Sequence, residues 1–227
     1  MVKTLNPTTR AVRQEAILDV AQRLIQTIGY RRMSVQDVQD ELGVSRGAIY
    51  HYFDSKAAML EAVIERMTDA VMSVVEPIAD DPTLTAPAKL EAVFRAAGQW
   101  KAERRELMLA LVPAWFSNDN ALVRERLWAI ANARLVPLLA KIIREGKAEE
   151  SITATYPDHA ASILVGLLEG SSSVITRLFV ASLDGRASIE EVGCAAAAYN
   201  EAVERILGIA PGSFEIIDQP TLHFWFA

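Results

Sequence analysis

Hydrophobic residues recur at helical spacing along most of the chain, and glycine and proline divide the pattern into separate helices. The first stripe has intervals of three or four residues and ends at Gly29; its members are Ile17, Ala21, Leu24 and Ile28. A shorter stripe ends at Gly43 and consists of Val35, Val38 and Leu42. This spacing is that of a helix with one buried face. The pattern therefore predicts an all-α fold.

The remaining pattern predicts a long fourth helix and five further helices. The fourth begins near residue 57 and is expected to break around Pro77 and Pro82. The others are expected near 86–104, 106–117, 119–148, 157–182 and 188–208. Pro113 and Pro137 lie inside two of them and should kink the helices, because proline removes a backbone donor.

Residues 34–56 have the layout of two short helices joined by a tight turn. Ser34, with Asp37 three residues later, resembles a capping box that opens the first helix. Gly43 accepts the left-handed conformation that ends it, and Ser45 is placed to cap the second helix. A helix, a short turn with glycine and a second helix form the helix-turn-helix of DNA-binding proteins. The same layout also occurs in small three-helix domains that do not bind DNA.

The second short helix separates its two faces. At the helical repeat, Ile49, Tyr52 and Phe53 lie on one side, and they are expected to anchor the helix. The opposite side carries Gly47 and polar residues such as Tyr50 and His51. A glycine inside a helix costs about 1 kcal/mol relative to alanine, so a close approach of DNA would explain it.

Charge is distributed unevenly along the chain. The 227 residues have a formal net charge of −6. Residues 1–60 carry eight basic and six acidic side chains, whereas the other 167 carry 15 basic and 23 acidic ones. A mildly basic head (+2) and an acidic body (−8) are expected where only the head meets DNA.

Other compositional features favour a soluble helical protein of the reducing cytoplasm. The single cysteine, Cys194, excludes a disulfide within the chain, and it is expected to be a small buried residue of an alanine-rich helix. The polar N-terminus is unlike a signal peptide. No uninterrupted apolar run reaches the about 18 residues of a membrane span.

The sequence contains no spacing typical of a catalytic, metal or nucleotide site. His51, His159 and His223 are far apart in sequence, and neither a CxxC nor an HExxH pair occurs. The glycine-rich phosphate loops are absent, and the GSSS at 170–173 is not a nucleophile elbow. We therefore expect no enzyme activity, no cofactor and no bound metal.

Residues 13–60, RQEAILDVAQRLIQTIGYRRMSVQDVQDELGVSRGAIYHYFDSKAAML, resemble the N-terminal domain of the TetR family of bacterial repressors. The resemblance is carried by the first helix, the Ser34 opening, and LGVS followed by AIYHYF and a lysine. It implies a three-helix DNA-binding domain at 10–56 after a flexible arm at 1–9. Residues 57–227 are then a larger helical domain that binds an effector and dimerises.

The resemblance and the exposed face together give a set of expected DNA contacts. Arg46 is expected to read a base, Gln36 to add a second base contact, and Ala48 to touch a thymine methyl. Lys56 matches a family lysine that contacts phosphate. The full set is Ser34, Val35, Gln36, Ser45, Arg46, Gly47, Ala48, Tyr50, His51, Tyr52 and Lys56. Tyr52 is included although the helical repeat places it on the packing side.

The body offers two further sets of expected site residues. Ligand-lining residues are expected among Phe94, Trp100, Met108, Trp115, Phe116, Trp128 and Phe179, although aromatics at helical spacing also form ordinary cores. The family dimerises through its last two helices, which implies an interface of Leu164, Leu167, Leu168, Ser171, Ile175, Ala195, Ala198, Tyr199, Ala202 and Ile206. Alternatively, these helices complete the core of a monomer.

The sequence thus predicts a cytoplasmic repressor that binds a palindromic operator as a homodimer and leaves it when a small molecule binds. Two alternatives stay open. One is a small-molecule-binding or catalytic helical protein with a vestigial head, and the other is a helical scaffold without a ligand. Loss of salt-dependent DNA binding on replacing Arg46 and Lys56 by alanine would favour the regulator over the first alternative, and a solvent-filled or ligand-filled cavity in the body would count against the second.

Overall fold

The computed structural model describes residues 7–115, 120–216 and 224–225, and the secondary structure of these residues is α-helical. The elements are α1 (Pro7–Ile28), α2 (Val35–Leu42), α3 (Arg46–Tyr50), α4 (Lys56–Ala79), α5 (Ala86–Ala102), α6 (Arg105–Trp115), α7 (Ala121–Ala148), α8 (Pro157–Leu183) and α9 (Ile189–Leu207). The all-α fold with a helix-turn-helix near the N-terminus and a larger helical part after it is confirmed.

Two helix boundaries differ from those predicted. α1 begins at Pro7, so residues 7–9 are helical and not part of an arm, while residues 1–6 lie outside the described residues. α4 continues through Pro77 to Ala79 instead of breaking at the proline. Pro77 lies in the last turn of α4, where the missing N–H and the ring disturb only the end of the helix.

The chain folds as two compact units. The first comprises Met1–Asp69 and Arg104–Leu127, so it combines the helix-turn-helix with α6 and the start of α7. Its core includes Ile25, Val38, Ile49 and Met59. Three leucines from the later segment belong to the same core, namely Leu107, Leu111 and Leu127. Burial of apolar area stabilises the folded state by about 25 cal/mol per Å², so α6 and the start of α7 contribute directly to the stability of the first unit.

Side-chain hydrogen bonds fasten α4 to α1 inside the first unit. The guanidinium of Arg66 donates to Glu15 Oε2 at 3.0 Å, to Asp19 Oδ1 at 2.7 Å and to Gln22 Oε1 at 2.7 Å. Asp19 and Gln22 lie three residues apart, so one arginine spans a turn of α1. The first fourteen residues of α4, up to Asp69, thus belong to the first unit.

The second unit comprises Ala70–Glu103 and Trp128–Ala227. Its core draws on the end of α4 and on α5, α7, α8 and α9, and includes Leu90, Ile142, Leu164 and Val203. Gly146 of α7 is required by packing, because a Cβ there would lie 2.6 Å from Ile152 Cδ1. Close-packed interiors tolerate no such overlap.

One buried cation is paired within the second unit. Lys89 of α5 is 5% exposed, and its Nζ donates to Glu145 Oε2 at 2.6 Å. The Glu149 carboxylate accepts the backbone N–H of Ala86 at 3.1 Å and so satisfies one of the unpaired donors at the start of α5. These acidic residues of α7 and the turn after it fix where α5 begins.

The segment after α9 is held to the second unit by its backbone. Glu204, 5% exposed, accepts the N–H of Phe214 at 3.1 Å, and Asn200 Oδ1 accepts that of Ile216 at 3.1 Å. Phe214 is buried and packs edge-on against Phe94, with ring centroids 6.1 Å apart. The hydrophobic segment therefore completes the core up to residue 216.

α8 is apolar over most of its length but is poorly buried within the chain. Residues 157–182 are long and apolar enough to cross a membrane by length and composition, yet only 17% of the apolar window is buried. One such helix is weak evidence for a membrane span. Ile163 and Val174 are exposed, and a Cβ at Gly166 or Gly170 would meet no atom of the described residues within 4 Å.

Candidate nucleic-acid interface

A complete capping box opens α2. Ser34 Oγ accepts the N–H of Asp37 at 3.2 Å, while Asp37 Oδ2 accepts both the N–H and the hydroxyl of Ser34 at 2.7 Å. Hydrogen bonds from the Ser34 hydroxyl and backbone lower the pKa of Asp37 below its ordinary value. The carboxylate therefore stays charged, and the first turn of α2 is fixed by residues local in sequence.

The turn between α2 and α3 follows the predicted geometry. Gly43 has φ +64° and ψ +31°, the left-handed conformation at the end of α2. Ser45 occupies the N-cap position of α3, but its side chain makes no capping hydrogen bond. Ser45 is exposed on the surface, and its hydroxyl is not used to cap the helix that follows it.

The five-residue helix α3 separates buried from exposed residues as its sequence predicts. Ile49 is fully buried and Phe53, just after the helix, is 5% exposed, so both anchor α3 to the first unit. Gly47, Tyr50 and His51 are exposed. Arg46 is the first residue of α3, but its side chain lies outside the described part of the structure. Ala48 is half-buried beside the exposed face.

Tyr52 is placed on the packing side of the helix-turn-helix. Its side chain is half-buried, and its hydroxyl oxygen is buried without a hydrogen-bond partner among the described residues. A phosphate contact needs a hydroxyl that reaches the surface. The helical repeat also assigns Tyr52 to this side, so we remove it from the expected contacts.

At the start of α2, Val35 is half-buried and Gln36 is exposed. Gln36 Nε2 donates to Asp40 Oδ1 at 2.7 Å, one turn further along the helix. This bond uses one of the two N–H donors of the amide and leaves the carbonyl oxygen and the second donor. Gln36 is thereby held on the surface with hydrogen-bonding capacity remaining.

Lys56 begins α4 and faces the turn that follows α1. Its Nζ lies 4.3 Å from the centroid of the Tyr30 ring and donates to the carbonyl of Arg31 at 3.3 Å. Burial lowers the pKa of Lys56, and the Asp37 carboxylate opposes that shift. Ser55 caps α4 by accepting the N–H of Ala58 at 3.0 Å. The ammonium therefore sits near the helix N-terminus, where an anion is favoured.

Sequence reasoning missed Tyr30 as part of this region. Its ring lies under Lys56, and its hydroxyl donates to Asn120 Oδ1 at 3.4 Å. Asn120 is 4% exposed and directly precedes α7. A contact across 90 residues of sequence leaves no periodic signal, so only the folded chain reveals it.

The expected ligand-lining residues are divided between the two compact units. Phe94 packs with the core of the second unit, whereas Met108 packs with the core of the first. Trp100 and Phe179 are buried at 9% and 8% exposure, and Trp128 is half-buried. The side chain of Trp115 and the whole of Phe116 lie outside the described residues.

The expected dimer residues divide into exposed, half-buried and buried positions. Leu164 at 1% and Tyr199 at 5% exposure belong to the core of the second unit, so neither is available to a partner. Ala198 is exposed, and the half-buried members are Leu167, Leu168, Ser171, Ile175, Ala195, Ala202 and Ile206. Sequence reasoning missed the most exposed apolar residues of α8, Ile163 and Val174, because the helix is apolar all round.

Cys194 is exposed, which corrects the expectation of a buried residue. It lies on the same side of α9 as Ala197, Ala198 and Glu201, which are also exposed. The buried face of α9 carries Val192, Tyr199 and Val203 at helical spacing, and Cys194, within the alanine run, lies off this face. Among the described residues, no three histidine, cysteine, aspartate or glutamate side chains are grouped to hold a metal.

Comparisons with known proteins agree on one family for the helix-turn-helix. Residues 17–63 match the family model of bacterial regulatory proteins, tetR family. Nucleoid occlusion factor SlmA of Vibrio campbellii is 28% identical over 166 residues, which are 73% of this chain and 84% of that protein. HTH-type transcriptional repressor KstR2 of Mycolicibacterium smegmatis is 25% identical over 188 residues, 82% of this chain and 88% of that protein.

Solved structures share the fold beyond the head. A TetR-family transcriptional regulator from Pectobacterium atrosepticum aligns with a TM-score of 0.67 and 19% identity, over 91% of this chain and 99% of that one. At this identity the likeness shows the fold alone. Combined with the family match on the helix-turn-helix, it leads to one conclusion: residues 17–63 belong to the tetR family of bacterial regulatory proteins, and the rest of the chain has the fold of TetR-family regulators.

Proposed function

We propose that this regulator binds its operator through the exposed face of α3 and the starts of α2 and α4. The observation that carries the proposal is the surface of α3, where Gly47 leaves open space and Tyr50 and His51 are exposed. Buried Ile49 holds this surface rigidly to the head. A short helix with a small outward residue fits the major groove closely.

Within this interface, residues take two roles. Arg46, Gln36 and Ala48 are proposed to read bases, since arginine pairs with guanine and glutamine with adenine in the major groove. Contacts with the sugar-phosphate backbone of DNA are proposed for Ser34, Val35, Ser45, Gly47, Tyr50, His51 and Lys56. Phosphate contacts set position and affinity, while the few base contacts set sequence preference. Residues 10–56 are accordingly the part that meets DNA.

Two copies of the chain are proposed to pair through α8 and α9, within the effector-binding and dimerisation part at 57–227. TetR-family regulators bind DNA and ligands, usually as dimers. The exposed stripe of Ile163, Gly166, Gly170 and Val174 supports this arrangement, because no described residue packs so closely that its glycines are required. Small residues let helix backbones approach closely. Pairing would bury the apolar face that a monomer leaves in water.

The regulator is proposed to be a cytoplasmic repressor that a small-molecule effector releases from DNA. KstR2, a relative along most of the chain, is named a transcriptional repressor. Release requires that the effector prefer a conformation with weaker operator affinity, and the factor by which the effector weakens operator binding equals the factor by which the operator weakens effector binding. α4 is the proposed transmitter, because residues of this one helix belong to both units.

Selection from a randomised duplex library tests the DNA-binding part. The wild-type chain should enrich an inverted repeat with half-sites about one helical turn, ~10 bp, apart or a multiple. Arg46→Ala and Lys56→Ala should abolish or weaken enrichment. The matched control is Arg95→Ala, which removes an exposed arginine paired with Glu91 on α5. Failure of the wild type to enrich any inverted repeat would refute the proposal.

Effector release is tested on the enriched duplex. Small apolar compounds are titrated against the protein by thermal shift, and each binder is then added to the protein–DNA complex. A repressor released by its effector loses affinity for the duplex in proportion to the ligand's preference between states. Ligands that bind the chain and leave the affinity unchanged would contradict this part of the proposal alone.

A further inference from the structure

The Tyr30 side chain touches two distant parts of the first unit at once. Its ring lies under the ammonium of Lys56, with 4.3 Å between Nζ and the ring centroid. Its hydroxyl donates to Asn120 Oδ1 at 3.4 Å. Lys56 begins α4 and Asn120 directly precedes α7, so a single side chain connects the starts of two helices.

We propose that Tyr30 is a positioning residue for DNA binding, which holds the Lys56 ammonium in place for a phosphate and ties that position to Asn120. The proposal rests on the phosphate contact proposed above for Lys56. Tyr30 itself does not touch DNA in this scheme. It acts through Lys56, and Asn120 acts through Tyr30.

The geometry around Lys56 supports this role. An ammonium has three N–H donors, and one of them is used by the carbonyl of Arg31 at 3.3 Å. The face of Tyr30 supports the cation without accepting a directional hydrogen bond. Two donors are therefore left for an anion, and the long side chain is already ordered. Ordering before binding removes part of the entropy that a free lysine loses at a phosphate.

The link to Asn120 makes the position of Lys56 depend on another segment. Asn120 is 4% exposed, so it is fixed by its surroundings and not by solvent. The hydrogen bond is long, and its loss should have a modest effect. Any rearrangement at the start of α7 that moves the amide would turn the Tyr30 ring beneath the ammonium. Asn120 and Lys56 would thus be coupled without touching.

Four variants test the proposal with a fluorescently labelled duplex of random sequence, followed by anisotropy over a range of salt concentrations. Tyr30→Leu removes ring and hydroxyl, Tyr30→Phe removes only the hydroxyl, Asn120→Ala removes its acceptor, and Lys56→Met removes the charge. Tyr30→Leu should weaken binding about 2- to 5-fold, the range of a partly exposed cation–π contact. Tyr30→Phe and Asn120→Ala should weaken it equally, by about 2-fold.

A double-mutant cycle separates positioning from general damage to the fold. In the Lys56→Met background, Tyr30→Leu and Asn120→Ala should have no further effect on affinity, because each acts through the ammonium. A merely structural role of Tyr30 would lower affinity in both backgrounds. Lys56→Met should also reduce the slope of log affinity against log salt by about 0.9, one phosphate contact. Thermal unfolding confirms that each variant is folded at the assay temperature.

The outcomes separate this inference from the proposed function. If the wild type does not bind duplex DNA, both fail. If Lys56→Met weakens binding but Tyr30→Leu does not, or if their effects are additive, the positioning role is overturned while the DNA interface stands. If Lys56→Met leaves affinity and salt slope unchanged, Lys56 makes no phosphate contact and the inference is overturned. The inference is supported if Tyr30→Leu weakens binding more than Tyr30→Phe and Asn120→Ala do, and if Tyr30→Leu and Asn120→Ala have no further effect in the Lys56→Met background.

Discussion

Gly47→Ala should make the free protein more stable and its complex with DNA weaker. Gly47 lies in α3, its φ is not in the left-handed region, and a Cβ there would meet no atom of the described part of the chain within 4 Å. The methyl group therefore enters open space in the free protein. Alanine is favoured over glycine in helices by about 0.5–1 kcal/mol, with a smaller gain expected so near the helix start.

The same methyl group points from the surface proposed to approach the major groove. If the backbone of α3 lies against DNA at Gly47, the added Cβ must displace either the helix or the neighbouring contacts. A tenfold loss of affinity, about 1.4 kcal/mol, is the expected order of magnitude. The substitution thus changes stability and affinity in opposite directions, which a general disturbance of the fold does not do.

Urea unfolding and anisotropy titration with the selected duplex measure the two quantities. Gly98→Ala is the matched control, because Gly98 lies in α5, a Cβ there would likewise meet no atom within 4 Å, and the residue is remote in sequence from the helix-turn-helix. Because Gly98 lies inside its helix and not near the start, it should give an equal or larger gain in unfolding free energy, with unchanged affinity. An unchanged or higher DNA affinity of Gly47→Ala would refute the close approach of α3 to DNA.

Three further predictions test individual contacts by urea unfolding. Gly208→Ala should cost at least about 1–2 kcal/mol, because φ is +65° and the added Cβ would overlap with Thr153 Oγ1. The control Gly212→Ala, with φ +74° and no described atom within 4 Å of the Cβ, isolates the cost of the backbone conformation. Tyr199→Phe should raise the free energy of unfolding by up to about 1 kcal/mol, because the buried hydroxyl has no hydrogen-bond partner among the described residues. Burial also raises the pKa of the phenol. A lower free energy of unfolding would mean that the hydroxyl is hydrogen-bonded in solution. Asp37→Asn should lower the free energy of unfolding near neutral pH, and the loss should become smaller as the pH falls. The lowered pKa of Asp37 adds stability to the folded protein, and this stability disappears as the pH falls through that pKa. A loss that does not depend on pH would contradict the role of the Asp37 carboxylate.

Local features of the helix-turn-helix were predictable from the sequence because the residues that cause them are neighbours. Ser34 and Asp37 form their capping box within one turn, and Gly43 adopts the left-handed conformation that only glycine enters without cost. The two faces of α3 follow from the helical repeat, which places Ile49 inward and Gly47 outward. Each of these predictions needs only the chain within a few residues.

Long-range pairings were not predictable, and the errors have physical causes. The sequence pattern around Leu107 predicts that the residue is buried, but it does not show in which unit. The structure places Leu107 in the core of the first unit. The predicted dimer surface includes Leu164 and Tyr199 because the resemblance implies pairing through the last two helices, whereas the structure buries both side chains in the core of the second unit. α8 is apolar on most sides, so periodicity does not single out its buried face. Cys194 lies in an alanine run whose composition predicts burial, but it is off the buried face of α9.

The first unit is built from two segments that are distant in sequence, and this affects folding during synthesis. Its core includes Leu107, Leu111 and Leu127, which follow α3 by more than 50 residues. During synthesis at about 5–20 residues per second, several seconds pass between the synthesis of α3 and that of these side chains. A nascent chain that ends before residue 127 lacks part of the core that supports the helix-turn-helix. The helix-turn-helix thus obtains its complete core only after more than half of the chain has been translated.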